Sequence, residues 1–240
     1  NELLMKLFKQ HGSKFKVSFS ISGSTLDLFE KHFPDILDSF IELSKTGNVE
    51  FLAETNNHSL SSLFSKEEFE KQVTLHQEKI KKYFNQTPST FRNSELLYSN
   101  EIGALVSGMG FDTVLTQGVN SVLKFKTPNA VYHTSFESSN LTLLMGNSEL
   151  SFDIEEHFGD TSWTHYPLQA PIYVGWIKES LARGSVVNIW LDYSVFGFTH
   201  KQNAGIFDFF EHVVLESLKS DILFTTPSEI NSSESSPIDI

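Results

Sequence analysis

The chain reads as an α/β protein in which a parallel sheet is closed or wound with helices outside it. Three observations predict that class. Short runs rich in Val, Phe and Thr alternate along the chain with longer segments whose apolar residues recur at three and four positions. Glycine or a Ser/Thr cap punctuates many of those helical segments. Carboxylates, a histidine and an arginine gather just after or at the ends of the strand-like runs, where sites in parallel folds lie.

Taken in order, residues 2 to 10 have helical spacing and "HGSKF" ends them. "FKVSFSI" (15 to 21) alternates as a strand. "SGSTLDLFEKHFPDILDSFIELSKTG" then predicts two helices, because Pro34 starts a second one more readily than it interrupts a first. "NVEFLA" (48 to 53) is the next strand. "KEEFEKQVTLHQEKIKKYFN" (66 to 85) is the clearest helix, with Phe69, Val73, Ile80 and Phe84 on its buried side. "STFRN" is a strand, "EIGALVSGMG" a helix and "DTVLTQG" a strand, followed by short strands in "NAVYHT" and "LTLLM". "SELSFDIEEHF" and "APIYVGWIKESLARG" are helical, "SVVNIWLDY" is an apolar strand, and "AGIFDFFEHVVLESLKS" is a helix. "DILFTTPSEI" closes the pattern with a strand and a capped helix start. No repeat or internal boundary appears, so residues 1–230 read as one domain and 231–240 as a Ser-rich tail.

Bulk composition narrows the function classes. A length of 240 residues with 39% hydrophobic content supports a sizeable core, and 22 phenylalanines predict bulky packing layers. The net charge of −12 argues against nucleic acid or an anionic membrane as partner, while a neutral substrate is compatible with it. The absence of cysteine excludes disulfides and thiolate metal sites. No apolar run reaches the ~20 residues of a membrane span. The N-terminus lacks a cleavable signal pattern, so the expected location is cytoplasmic. It also lacks an initiator methionine, which reads as a fragment. Without a signal pattern the acceptor patterns at Asn85, Asn140 and Asn231 read as chance.

Candidate chemistry sits at the strand ends. Glu54 and His58 follow "NVEFLA", Glu95 follows "STFRN", and Asp192 follows "SVVNIWL". Glu95 has a plain alternative role, as a first-turn residue of a helix capped by Ser94. The histidines His58, His76, His133 and His200 form no compact ligand spacing, so no metal is expected. A nucleophile elbow is missing, and the glycines near Gly103 have no phosphate-cradling spacing.

"GNVEFLAETNNHSL", "FRNSELLYSNEIG" and "NIWLDYSVFG" occur in that order, with "FKVSFSISG", "SWTHYPL" and "AGIFDFF" between and around them. Together they resemble the α-amylase branch of glycoside hydrolase family 57, from Asn1 to about Ile230. The resemblance implies a (β/α)7-type barrel, incomplete where the first strand motif, His-Gln-Pro, is missing. It implies a retaining hydrolase or glucan transferase on α-1,4-glucans that needs no cofactor. Glu95 then matches the nucleophile and Asp192 the acid/base, with the carboxyls expected roughly 5–7 Å apart and Asp192 in the drier surroundings. His58 matches a substrate-contacting position, and Glu50 and Glu54 share its motif. Arg92 is placed to hold a carboxylate ionised, and Trp163, Trp176, Trp190 and Tyr193 are candidate sugar platforms, with core packing favoured for Trp176. Departures from the family pattern stand beside the matches. Ser194 and Phe198 occupy places that are usually acidic, and Gly146 and Phe152 places that are usually polar. The fifth, Trp-containing motif would lie beyond Ile240. These departures leave open a second reading, a homologue that binds α-glucan with weak or no turnover.

Overall fold

A computed structural model describes residues 1–119, 123–134 and 141–230, and the backbone of 236–238. Asn140, Asn231 and the rest of 231–235, and residues 239 and 240, lie outside the described residues. The chain divides into two compact units: residues 1–116, 131–144 and 224–240, and residues 117–130 and 145–223.

The first unit holds the strands. β1 (Val17–Phe19) pairs in parallel with β2 (Val49–Phe51). β3 (Thr90–Arg92) pairs in parallel with β4 (Thr113–Gln117), in a sheet of order β3-β4-β6-β5-β7 with β5 at Val131–Thr134, β6 at Thr142–Gly146 and β7 at Ser236–Ile238. Gln117, Met145 and Gly146, at the ends of β4 and β6, count with the second unit. A parallel bridge between Ala53 and Phe91 joins β2 to β3, so the wall runs β1-β2-β3-β4-β6. Among the described residues it does not close. β5 and β6 are antiparallel, a departure from the all-parallel expectation, because the stretch from Thr134 to Thr142 is shorter than the dozen or so residues a parallel crossover needs.

Aromatic packing accounts for the phenylalanine content. Phe51 is fully buried and stacks on Phe84 with centroids 3.6 Å apart and planes 5° off parallel. Phe19 meets both Phe40 and Phe51. Phe91 meets Phe69 and Phe111. These rings come from one face of each strand, so the alternate residues Glu50, Leu52 and Glu54 point the other way. The helices behind this layer are α1 (Glu2–His11), α2 (Gly23–His32), α3 (Pro34–Ser44), α4 (Lys66–Phe84) and α5 (Asn100–Gly108). Pro34 stands at the start of α3, where its missing N–H costs nothing. α4 buries Phe69, Val73, His76, Ile80 and Phe84, begins with Ser65 accepting from the Glu68 N–H, and ends at Asn85 in the left-handed conformation. Ser65→Ala is expected to cost about 1 kcal/mol in a chemical denaturation measurement, the usual worth of an N-cap.

In the second unit, α6 (Ser148–Phe152) runs into a π-helical turn, Asp153–His157, and α7 (Ala170–Leu181) packs with α8 (Ile206–Lys219). Their core contains Leu150, Ile154, Phe158, Tyr173, Ile177 and Phe209. The expected strand over 185–193 is reduced to one bridge, Gly146 with Asn188. Its Val187, Ile189 and Leu191 pack against that core, while side chains replace ladder partners: Asn188 Nδ2 donates to the Met145 carbonyl, and the Trp190 N–H to Ser151 Oγ. "DILF" likewise forms no strand. The capped start after it is a single turn, Pro227–Glu229, with a Thr226/Glu229 capping box. No helix among the described residues is long and apolar enough to cross a membrane.

Candidate active site

Three strand ends of the first unit meet in one cluster. Glu54, just beyond β2, is buried to 3% side-chain exposure and accepts from Ser20 Oγ at 3.0 Å. His58 Nδ1 lies 3.3 Å from Glu54 Oε2, and His58 Nε2 lies 2.9 Å from Glu95 Oε1. Glu95 is 68% exposed, so the chain of contacts runs from a buried carboxylate through an imidazole to a carboxylate in solvent. The imidazolium form of His58 donates to both carboxylates at once. Its hydrogen bond and charge hold the Glu95 carboxyl below the usual carboxylate range. Arg92 approaches Glu54 at 4.0 Å, and its charge is the smallest of the contributions at Glu95.

Glu95 does not sit in the first turn of a helix capped by Ser94. Ser94–Leu96 is a 3-10 turn whose N-cap is Asn93, and α5 starts only at Asn100, capped by Ser99. Glu95 and Leu96 both have positive φ, 53° and 55°, as does His58 at 51°. Such non-glycine residues store of order 1 kcal/mol or more each, and they persist only where surrounding bonds fix them. Those bonds are present. Buried Asn93 accepts from the Ser94 N–H and donates to Ser62 Oγ and the Leu97 carbonyl, each at 3.0 Å. The Thr55 and Ser94 hydroxyls meet at 2.9 Å, and Thr55 Oγ1 also takes the Ser59 N–H. Thr116 Oγ1 donates to the Leu96 carbonyl.

Glu50 is not part of this cluster. It sits four residues earlier, where Oε2 accepts from the Ser228 N–H and Oγ, and it lines a separate cavity of about 290 Å³ with Gly47, Gln86, Pro88 and Ser89. Those last four precede β2 and β3, so this cavity lies at the amino ends of the strands, away from Glu54.

Asp192 belongs to the second unit. Its Oδ1 accepts from the Ser194 N–H, and its own N–H donates to Glu155 Oε1, both at 2.8 Å. It is exposed, which corrects the expectation of a dry setting, because it caps the solvent-facing turn Tyr193–Val195. His200 fastens this loop to the π-helical turn by donating to the Ile154 and Glu155 carbonyls. Tyr193 is 47% exposed beside Asp192. Trp163 stacks on His157 at 4.9 Å, which covers one of its faces, and Trp176 packs against the same core. Gly146 has a steric reason. A Cβ there would come within 2.7 Å of the Trp190 ring, so that ring lies against the backbone. Phe198 is 76% exposed, with Lys201 Nζ 5.2 Å from its ring centre.

Sequence reasoning missed Ser20 and Asn93. Ser20 was discoverable, since Ser18 and Ser20 alternate with Val17, Phe19 and Ile21 and must face away from them.

A family model described as glycosyl hydrolase family 57 matches residues 1–238. A Methanocaldococcus jannaschii protein named "Putative alpha-amylase" is 36% identical over 224 residues, covering 93% of this chain and 46% of its own length. The chain therefore spans about half of that relative. The structure of a 4-alpha-glucanotransferase from Thermococcus litoralis superposes with a TM-score of 0.75 at 15% identity, over 99% of this chain and 37% of that one. A branching enzyme from Thermococcus kodakaraensis gives 0.74 at 12% identity, over 99% and 66%. At these identities the likeness is of fold, and the fold is of the (β/α)7-barrel type.

Proposed function

The chain belongs to glycosyl hydrolase family 57, and on that premise we propose that it carries the catalytic residues of a retaining enzyme acting on α-1,4-glucans. Residues 1–230 form its catalytic barrel domain. Glu95 is the nucleophile and Asp192 the acid/base, with His58, Glu54, Arg92, Trp163 and Tyr193 in the substrate site. The observation that carries this reading is the His58–Glu95 pair. A nucleophile must be ionised and accessible, and Glu95 is both.

In the first step a Glu95 oxygen bonds to the anomeric carbon as the glycosidic bond breaks, and Asp192 protonates the departing oxygen. In the second, Asp192 takes a proton from water or a sugar hydroxyl, which attacks the same carbon and frees Glu95. The two carboxyls must come within ~5–5.5 Å for this. Trapping tests the assignment: a fluorinated glucosyl fluoride should label the peptide containing Glu95, detected by mass spectrometry, and a label on any other carboxylate would overturn it.

The imidazole also sets a pH dependence. Because His58 lowers the Glu95 pKa, activity should persist further into acid than an isolated carboxylate would allow. His58→Asn keeps a residue that tolerates positive φ and removes the imidazole. Its acid limb in kcat/KM should move to higher pH, toward the ordinary carboxylate value. An unmoved limb would show that His58 does not tune the nucleophile.

One observation favours the second reading, glucan binding with little turnover. Asp192 is exposed and occupied as a turn cap, and its neighbours Ser194 and Phe198 supply no carboxylate. Isothermal titration with maltoheptaose separates the two readings, since tight binding without product supports the second.

A further inference from the structure

We propose that His76 is a positioning residue for the cluster of Glu54, His58 and Glu95: its imidazole replaces a backbone rung between the ends of β1 and β2 and so fixes where Glu54 stands. This role rests on the catalytic reading of that cluster.

β1 and β2 pair from Val17 with Val49 to Phe19 with Phe51, and the Leu52 N–H donates to the Phe19 carbonyl at 2.8 Å. Donors recur every second residue along a parallel ladder, so the next rung would run from the Glu54 N–H to the Ile21 carbonyl. That rung is absent. The Glu54 N–H instead donates to His76 Nδ1 at 3.2 Å, and His76 Nε2 donates to the Ile21 carbonyl at 2.8 Å. A ring that accepts at Nδ1 and donates at Nε2 is neutral and in a single tautomer.

His76 comes from the middle of α4 and has no exposed surface. Burial lowers its pKa, in keeping with the neutral form, and the charged groups that act on it are Glu54 and Lys79. The ring both parts and bridges the two strand ends. Ser20 and Glu54 stand at that splayed end and are joined through the Ser20 hydroxyl, while the second Glu54 oxygen faces His58. A neutral histidine satisfied in a core would be unremarkable on its own. Here its acceptor nitrogen holds the backbone of the one buried carboxylate in the cluster.

Two measurements on the full chain test this. Nitrogen-15 NMR of the native protein should find His76 neutral with the proton on Nε2; an Nδ1–H tautomer or an imidazolium at pH 7 would overturn the proposal even if no variant folds. His76→Phe keeps the ring and loses both bonds, whereas His76→Gln retains a donor and an acceptor. His76→Phe should lower kcat on maltoheptaose by ~10–100-fold with KM within about twofold, as displacement of a catalytic group by ~1 Å does. His76→Gln should recover most of that loss. Equal kcat in all three proteins, or equal losses in both variants, would reduce His76 to a packing residue. Failure of the catalytic reading looks different, because native turnover would then be absent or survive Glu95→Gln while the tautomer stayed as expected.

Discussion

Glu95→Gln is expected to lower kcat on maltoheptaose by about 10³-fold or more, with affinity little changed. The amide has nearly the same shape but cannot form the covalent bond to the anomeric carbon, and nucleophile removal is among the most damaging single changes to a covalent enzyme. Three factors of ten correspond to about 4 kcal/mol of lost transition-state stabilisation. Stability should hardly move. The side chain is 68% exposed and its hydrogen bond goes to His58, which is itself 41% exposed. The glutamine oxygen still accepts from the imidazole. Turnover measured beside thermal unfolding checks the prediction. Equal turnover in the two proteins would remove Glu95 from the mechanism.

The features of this site that sequence made legible are those with local causes. Helix α4 was readable from its apolar period, and the Ser65 cap and the left-handed Asn85 of the structure agree with it. The strand-end rule located Glu54, His58 and Glu95 before any contact was visible, since parallel strands deliver their next residues to one end. Each shortfall depends on a long-range partner. "RNSEL" has the look of a helix start, yet Asn93 is fastened to Ser62 and Leu97, and Glu95 is held in a left-handed 3-10 turn. Nothing local distinguishes those outcomes. The apolar run at 185–193 has the alternation of a strand, but tertiary burial against α7 and α8 took its apolar side chains and left a single bridge. Glu50 shares the motif of Glu54 and points to the same side of β2, but four residues of strand separate them by ~13 Å. Motif membership therefore does not mean membership of one site.

Asp192→Asn is expected to slow maltoheptaose cleavage by ~10²–10⁴-fold, the usual worth of a general acid, and to spare the first step on maltosyl fluoride. The contrast follows from the leaving group. A sugar hydroxyl leaves as an alkoxide unless a proton reaches its oxygen, whereas fluoride departs without one. The asparagine oxygen still accepts from the Ser194 N–H, and the backbone bond to Glu155 does not involve the side chain. The turn Tyr193–Val195 therefore keeps its cap, and a loss of activity reports chemistry. Deglycosylation remains slow on both substrates, because the same residue must take a proton from the incoming water. A burst of fluoride followed by slow turnover is the expected signature. Equal slowing of cleavage and of the fluoride burst would place the defect in binding or loop geometry and would end Asp192's candidacy as the acid. The exposed setting of Asp192 sharpens the test. A general acid must hold its proton while glucan is bound, and exclusion of water by the bound sugar favours the protonated form. An acid limb and a basic limb that sit close together in kcat/KM, and separate when substrate is saturating, would identify the bound sugar as the agent that dries the site.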